Sequence, residues 1–164
     1  DAPTFRAYRD FFWRVGSDPT KNRPAAEALI RRILRGNPIP NINTVVDAYN
    51  LASVKTEIAL AAFDLQELQE DLVMRFASGE EKFLGIGMEE PMDLEGKEVV
   101  ISDDQKLVAI YPHRDADKSK VTEKTKNILL LACGVPGIMR DTLVRAATVA
   151  IEYITRFCGG ERVD

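Results

Sequence analysis

The sequence has few of the residues on which much enzyme chemistry depends. Among 164 residues there is one histidine, His113, and two cysteines, Cys133 and Cys158. A zinc site with the usual four Cys or His ligands therefore cannot be built from this chain alone. A nucleophilic mechanism that needs an imidazole must use His113. We expect neither a metal nor another cofactor, and we expect both cysteines to be buried, reduced thiols.

Long apolar runs and glycine-rich loops are also missing. No segment reaches the ~18 apolar residues of a membrane-spanning helix. No signal peptide opens the sequence, and no phosphate-binding glycine loop of the Walker or Rossmann type is present. The first residue is not methionine. We therefore expect one cytoplasmic domain over residues 1–164 that was trimmed from a longer chain, with no membrane association.

Positive charge is not in excess either. Lys and Arg number 22 and Asp and Glu number 26, which gives a net charge of −4. This balance argues against DNA as a partner and against a broad basic surface for any nucleic acid. A local basic patch remains compatible with it.

Hydrophobic periodicity predicts helices towards both ends and strands in the middle. Helical spacing extends over residues 5–15, 24–35, 44–55 and 139–158. Alternating or short apolar runs predict strands near residues 58–63, 72–77, 98–102, 106–111 and 127–133. The second helix is expected to bury Ala25, Ala28, Leu29 and Ile33. This order of elements favours an α+β fold over a repeating βαβ design.

Asp47 and Asn50 form the first polar group that could bind a small molecule. They are three residues apart on the third predicted helix and so share a face. Together they could bind an amine or a hydroxyl group. Alternatively, Asp47 supports a neighbouring loop and Asn50 ends the helix.

The second polar group is the segment Tyr111-Pro112-His113-Arg114-Asp115, which follows a predicted strand. Loops at strand ends are common places for chemistry. His113 could act as an acid or base near neutral pH, and Arg114 could bind a phosphate or carboxylate. Alternatively, Arg114 and Asp115 form a surface ion pair beside an exposed histidine.

Two local groups of basic residues are candidate contacts for RNA, although both are also typical of a solvated surface. One contains Lys118, Lys120, Lys124 and Lys126; the other contains Lys21, Arg23, Arg31, Arg32 and Arg35. Because the net charge is negative, we expect any RNA contact to be weak and sensitive to salt.

The order of motifs from residue 23 to residue 133 resembles a known family. Residues 23–64 run through an arginine-rich helix, a proline loop, Asn41 and Asn43, a Val-Val-Asp helix and a strand ending in Ala-Phe-Asp. The match continues through LVMRFASGE, VVISDDQKLVAIY and VTEKTKNILLLAC. This combination is similar to the tRNA-binding and editing domain of the phenylalanyl-tRNA synthetase β subunit, the module formed by its B-three and B-four regions.

The resemblance implies a fold, a partner and an activity. The fold would be α+β, with a β-sandwich-like sheet core flanked by helices. The partner would be tRNA or an aminoacyl-tRNA, and the activity would be hydrolysis of mischarged tyrosyl-tRNA in a pocket beside the Val-Val-Asp helix. Free-standing proteins with the same domain also exist, and we expect this chain to be of that type.

The sequence departs from the family where the family performs its editing. The editing histidine of the family precedes Ala-Phe-Asp, and that position is Ala61 here. A family threonine is replaced by Tyr49, and a family glutamate falls at Leu131. Residues 111–115 replace a glycine-rich strand end. Either the activity is absent or residues 111–115 form a different site at the same rim.

We predict a synthetase-like domain that binds RNA or the end of an aminoacyl-tRNA; if it is an enzyme, the activity is trans-editing hydrolysis. The alternatives are a non-catalytic module that binds an amino acid or small metabolite, and a structural domain of a larger synthetase-like chain. The predicted catalytic residues are His113, Arg114 and Asp115. The predicted substrate-binding residues are Asn43, Asp47, Tyr49, Asn50, Tyr111 and Thr125, and the predicted RNA contacts are Arg23, Arg31, Arg35, Lys118 and Lys120.

Overall fold

Four α-helices and eight strands lie within residues 2–163, the part of the chain that the computed structural model describes. The helices are α1 (Pro3–Arg14), α2 (Ala25–Leu34), α3 (Thr44–Thr56) and α4 (Arg140–Cys158). The strands are β1 (Ala59–Asp64), β2 (Val73–Phe76), β3 (Lys82–Phe83), β4 (Met92–Asp93), β5 (Val99–Ser102), β6 (Leu107–Ile110), β7 (Arg114–Asp115) and β8 (Ile128–Cys133).

The predicted helices and longer strands are confirmed, and the α+β class is confirmed with them. Three strands were not predicted: β3, β4 and β7. Each has only two residues, which is too short for an alternating pattern to be recognised. No helix among the described residues has the length and apolar character needed to cross a membrane.

The strands form three antiparallel sheets, ordered β1-β8, β2-β5-β6-β7 and β3-β4. One face of β1-β8 packs against β5 and β6 of the four-stranded sheet, with α1 at the edge of this core. The opposite face, which carries Leu60 and Ala62, packs against α3 and α4. All six residues of β1 are buried because both faces of this strand are covered. The core is therefore a small sandwich with a helical layer on one side.

Local hydrogen bonds fix the ends of α3. The Asn43 side chain caps the helix by accepting a hydrogen bond from the Val46 backbone N–H at 2.9 Å. Its amide Nδ2 also donates to the Val121 carbonyl at 3.3 Å, which joins the helix to the loop before β8. The helix ends at Glu57, whose φ of 64° is left-handed.

The tyrosine of α1 anchors this helix to the strand ends. The Tyr8 hydroxyl donates to the Cys133 carbonyl at 2.6 Å and accepts from the Ala59 backbone N–H at 3.0 Å. Ala59 and Cys133 are opposite each other in the β1-β8 ladder. One buried hydroxyl thus satisfies a polar backbone group on each strand.

The predicted apolar face of α2 is wrong. The structure buries Ala26 and Glu27 instead, whereas Ala25 and Ile33 are exposed. Glu27 can be buried because it accepts hydrogen bonds from two arginines: Arg9 Nε at 2.9 Å and Arg31 Nε at 2.8 Å. A hydrophobic pattern cannot predict a carboxylate that is buried by pairing.

The expectation of two buried thiols is half correct. Cys133 is buried at the end of β8, as predicted, but Cys158 is exposed. Cys158 lies in the last turn of α4, beyond the residues of that helix that pack on the sheet. Neither cysteine forms a disulfide with another described residue.

Candidate functional site

A cavity of ≈ 160 Å³ lies between the two sheets of the sandwich and the side of α3. Its walls come from α3, β1, β6, β7 and β8 and from the turn between β6 and β7. Most of the predicted catalytic and substrate residues line it: Tyr49, Asn50, Tyr111, His113, Arg114 and Asp115. Ala61 and Leu131, the positions of the family's histidine and glutamate, line it as well.

Residues 111–115 reach the cavity through a tight turn. The sequence predicts that the chain leaves the sheet after β6, but it instead turns and pairs back as β7, with Ala109 opposite Asp115. The His113 backbone N–H closes the turn by donating to the Ile110 carbonyl at 2.7 Å. This hairpin directs Asp115 to the side of the sheet on which Ala109 packs against β1 and β8.

Asp115 has the most unusual electrostatic environment in the cavity. Its side chain forms no hydrogen bond or ion pair with any residue in 2–163. Burial raises the pKa of its carboxyl group from 3.8 to about 7. Arg114 does not pair with it, because consecutive residues of a strand point to opposite faces. A carboxyl group with a pKa near neutrality can accept or donate a proton at physiological pH.

The neighbours of Asp115 are neutral. Burial raises the pKa of the Tyr49 hydroxyl, and the charge of Asp115 raises it further. Burial also raises the pKa of the Cys133 thiol, and the charge of Asp115 raises it further. Cys133 is therefore a protonated thiol at neutral pH and not a reactive thiolate.

His113 lies at the rim of the cavity. Its ring packs edge to face against Phe12 of α1, with the ring centroids 5.9 Å apart. Burial, and then the charge of Arg114, lower the pKa of the imidazole below 6.5. His113 is therefore a neutral imidazole at neutral pH.

Arg114 and His113 also border a second, larger groove of ≈ 380 Å³ on the other side of the turn. The stem of Arg114 lies over Gly85, which bridges to Ala116 next to β7. No described residue pairs with the Arg114 guanidinium. It is free to bind an anion.

Among the remaining cavity residues, Asn50 and Tyr111 differ in whether their polar groups are free. The Asn50 side chain has no hydrogen-bond partner in the described part of the chain. The Tyr111 hydroxyl donates to the Gly134 carbonyl, and its ring packs edge to face on Phe11 with the centroids 6.1 Å apart. Asn50 is thus available to a ligand, whereas Tyr111 forms part of the wall.

Three predicted substrate-binding residues do not line the cavity. Asn43 caps α3. The Asp47 carboxylate accepts a hydrogen bond from the Ile42 backbone N–H at 2.9 Å. Asp47 therefore supports a neighbouring loop, which is the alternative to ligand binding given in the sequence analysis. Thr125 donates to Asp64 Oδ2 at 2.7 Å. Each side chain stabilises backbone near the site, and none of the three shares the cavity with Asn50.

The predicted RNA contacts differ in how free their charges are. Arg31 pairs with Glu27, and Lys120 pairs with Asp117 at 2.6 Å. Arg35 and Lys118 are exposed. Arg23 is half-buried, and its Nε has no partner among residues 2–163. RNA binding by these residues stays a prediction.

Sequence reasoning missed two contributions to the site. Cys133 lines the cavity beside Leu131, and Gly85 supports Arg114 from a distant loop. Neither has a recognisable motif around it, so the sequence carries no signal for either. No group of three or more His, Cys, Asp or Glu that could hold a metal occurs in the described residues.

Comparison with known proteins identifies the family. A model described as the B3/4 domain matches residues 7–159. The chain belongs to the B3/4 domain family. The match covers nearly all the elements that build the cavity, from α1 to α4, and it confirms the resemblance found in the motifs.

The similar curated proteins are phenylalanine–tRNA ligase β subunits. That of Aquifex aeolicus is 34% identical over 140 residues, which cover 79% of this chain and 18% of that subunit. That of Hahella chejuensis is 33% identical over 97 residues, which cover 59% of this chain and 12% of that subunit. The B3/4 chain thus spans under a fifth of the length of these relatives.

A solved structure is also similar to the chain: an N-terminal fragment of the phenylalanyl-tRNA synthetase β subunit from Pyrococcus horikoshii. It is 17% identical, with a TM-score of 0.44, and the match covers 74% of this chain and 50% of the fragment.

Proposed function

We propose that this B3/4 domain binds the aminoacyl end of an aminoacyl-tRNA in the cavity and hydrolyses its ester bond. The observation that carries the proposal is Asp115, a carboxyl group without a partner that lines a cavity together with Asn50, His113 and Arg114. The family match supports a domain related to tRNA synthetases. The activity is inferred from the site.

Asp115 serves as the general base. A water molecule attacks the ester carbonyl carbon, and Asp115 takes the proton that this water loses. The bond between the carbonyl carbon and the ribose oxygen then breaks, and the ribose oxygen takes a proton from Asp115. The products are the free amino acid and the tRNA. Because an aminoacyl ester is already activated, positioned water and charge stabilisation suffice without a nucleophilic side chain.

The other cavity residues bind and orient the ester. The free Arg114 guanidinium stabilises the negative charge that develops on the carbonyl oxygen. The Asn50 side-chain oxygen accepts from the α-ammonium group. His113, neutral and packed on Phe12, orients the attacking water. This assignment moves the base from His113, which the sequence suggested, to Asp115, because Asp115 has the pKa nearer to neutrality and lies deeper.

The cavity has the right volume for part of an aminoacyl group. Its ≈ 160 Å³ is close to the about 150 Å³ of an apolar protein cavity that holds one benzene molecule. A nucleotide does not fit inside. The tRNA therefore remains outside, where Arg35, Lys118 and Arg23 can contact its phosphates.

Deacylation assays test the proposal. The protein is incubated with a panel of aminoacyl-tRNAs, including tyrosyl-tRNA(Phe), and free amino acid is measured. We expect turnover of at least one member and a loss of about 100-fold or more in Asp115→Asn. Asp104→Asn, an exposed aspartate in the β5–β6 turn, is the matched control and should retain activity. Absence of turnover for every member would remove the enzyme proposal.

One observation favours a second candidate, a module that binds an amino acid without hydrolysing it. The positions of the family's histidine and glutamate are Ala61 and Leu131, so the catalytic groups implied by the resemblance are missing. Thermal-shift measurements separate the two candidates. Stabilisation by a free amino acid, combined with no deacylation, would establish the binding module.

A further inference from the structure

One wall of the cavity is entirely apolar. Ala61 of β1 and Leu131 of β8 are direct partners in the antiparallel ladder, so their side chains leave the sheet on the same side. Phe63, Ile101 and Ala109 continue this wall. None of these five side chains has a hydrogen-bond donor or acceptor.

The polar groups of the cavity are gathered on the other side. Asn50 lies on α3, His113 lies in the β6–β7 turn, and Arg114 and Asp115 form β7. Tyr49 precedes Asn50 on α3 and also lines the cavity. A bound molecule therefore meets polar groups at one end and hydrocarbon at the other.

This division assigns the two ends of an aminoacyl group. The α-amine and the ester carbonyl need hydrogen bonds and lie at the polar end. The amino-acid side chain then projects onto the wall of Ala61 and Leu131. A hydroxyl or a charge placed there would lose its hydrogen bonds to water and gain none.

We infer that the cavity selects an aminoacyl group whose side chain is uncharged, apolar and no larger than a phenyl ring. The inference rests on the proposed function for the identity of the ligand as an aminoacyl group. The lower polarity of the wall disfavours a phenol relative to a phenyl ring. The volume of ≈ 160 Å³ is close to the about 150 Å³ of a cavity that holds benzene, which favours a phenyl or smaller side chain over an indole.

The difference in affinity between the phenylalanine and tyrosine ligands has an expected upper limit. An apolar pocket rejects a ligand that only adds a hydroxyl by about 100-fold at most. We therefore expect phenylalanine and leucine ligands to bind roughly 10 to 100 times more tightly than the tyrosine ligand. The tryptophan ligand should show no saturable binding over the same concentrations.

Calorimetric titration with amino-acid amides measures this selectivity without requiring hydrolysis. The probes are L-phenylalaninamide, L-leucinamide, L-tyrosinamide and L-tryptophanamide, which keep the α-amine and the carbonyl of an aminoacyl ester. Each Kd is measured at the same pH and salt. The ratio of the tyrosine Kd to the phenylalanine Kd is the quantity to compare.

Substitutions at the wall test the cause. Leu131→Gln supplies an amide that can hydrogen-bond a phenol, so the ratio should fall by about 10-fold. Leu129→Gln, two residues away on the same strand and outside the cavity, should leave the ratio unchanged. Ala61→Ser places a smaller polar group opposite Leu131 and provides a second variant if Leu131→Gln does not fold, as judged by its thermal unfolding.

The outcomes separate this inference from the proposed function. Equal or tighter binding of the tyrosine or tryptophan amide would overturn the selectivity and leave an aminoacyl site intact. The selectivity of the apolar wall would also be overturned if Leu129→Gln changed the ratio of the two Kd values as much as Leu131→Gln does. No binding of any amide, with no deacylation of any aminoacyl-tRNA, would overturn both.

Discussion

Gly85 lies directly beneath the side chain of Arg114. A Cβ atom at residue 85 would come within 2.8 Å of Arg114 Cγ and closer still to Cδ. Gly85 is buried and bridges to Ala116, immediately after β7. The absence of a side chain there allows the stem of this exposed arginine to lie against residue 85.

Replacing this glycine should displace the arginine and leave the fold intact. In Gly85→Ala the methyl group overlaps the stem of Arg114, which is exposed and can move. We expect kcat/KM for aminoacyl ester hydrolysis to fall about 10-fold or more, as when a charge-stabilising group is misplaced. Gly79→Ala is the control, because a Cβ there meets its nearest neighbour at an ordinary 3.6 Å. Unchanged kinetics in Gly85→Ala would show that Gly85 does not position Arg114.

Asp115 should make the protein less stable as the pH rises. Its pKa is about 7 in the folded protein and 3.8 in the unfolded chain. Between these values the folded state holds the proton that the unfolded state has released, so the free energy of unfolding falls with rising pH. Asp115→Asn removes this penalty and should be more stable than the wild type by roughly 1 to 3 kcal/mol at pH 8.

Denaturant unfolding of both proteins at pH 4 and pH 8 measures this difference. The two should differ far less at pH 4, where Asp115 is protonated in the folded protein and only about half ionised in the unfolded chain. Comparing the variant with the wild type removes the contributions of other carboxyl groups. A variant that is less stable than the wild type at pH 8 would contradict the raised pKa of the unpaired Asp115 carboxyl group.

The same group predicts the pH dependence of the reaction. Asp115 acts as a base only when it is ionised, so kcat/KM should rise with pH to a plateau, with a midpoint near its pKa of about 7. Burial and the charge of Arg114 lower the pKa of His113 below its ordinary value, so its titration lies on the acid side of this midpoint. The residual activity of Asp115→Asn should lose this midpoint. A wild-type profile that is flat from pH 6 to pH 8 would exclude Asp115 as the base.

Tyr8→Phe should destabilise the fold although it adds no new group. The hydroxyl is buried and joins the Ala59 N–H to the Cys133 carbonyl. Its removal leaves two buried backbone groups unpaired, at a cost on the order of 2 to 4 kcal/mol. For a chain of this size that corresponds to a Tm lower by roughly 5 to 15 °C. Tyr153→Phe, at a half-buried tyrosine whose hydroxyl has no partner in the described residues, should change Tm by much less.

Arg31 of α2 and Arg35, which follows this helix, should differ in their effect on tRNA binding. Arg35 is exposed and follows the helix, whereas Arg31 is held by Glu27 at 2.8 Å. If the helix contacts phosphate, Arg35→Gln should weaken tRNA binding and reduce the slope of log K against log salt by about one. Arg31→Gln should change the slope less. Filter binding over a range of salt concentrations measures both, and equal slopes for Arg35→Gln and wild type would place the contact elsewhere.

Much of the fold could be predicted from local sequence. The bounds of α3 are correct within about one residue because Asn43 caps its start and an apolar pattern follows. Strands β5 and β6 match the two apolar runs on either side of Asp103 and Asp104 that predict them. The buried face of α2 was not found, because Glu27 is buried through partners on α1 and on its own helix, and an apolar pattern does not report such pairing.

The sequence alone determined the family, the order of the elements and the identity of the two apolar residues at the family's editing positions, because these depend on residue types and their spacing. Only the tertiary structure brought Asn50 of α3 into the same cavity as residues 111–115, left Asp47 outside it and turned the chain back at β7. The raised pKa of Asp115 also depends on the tertiary structure, since its cause is desolvation by residues distant in the sequence.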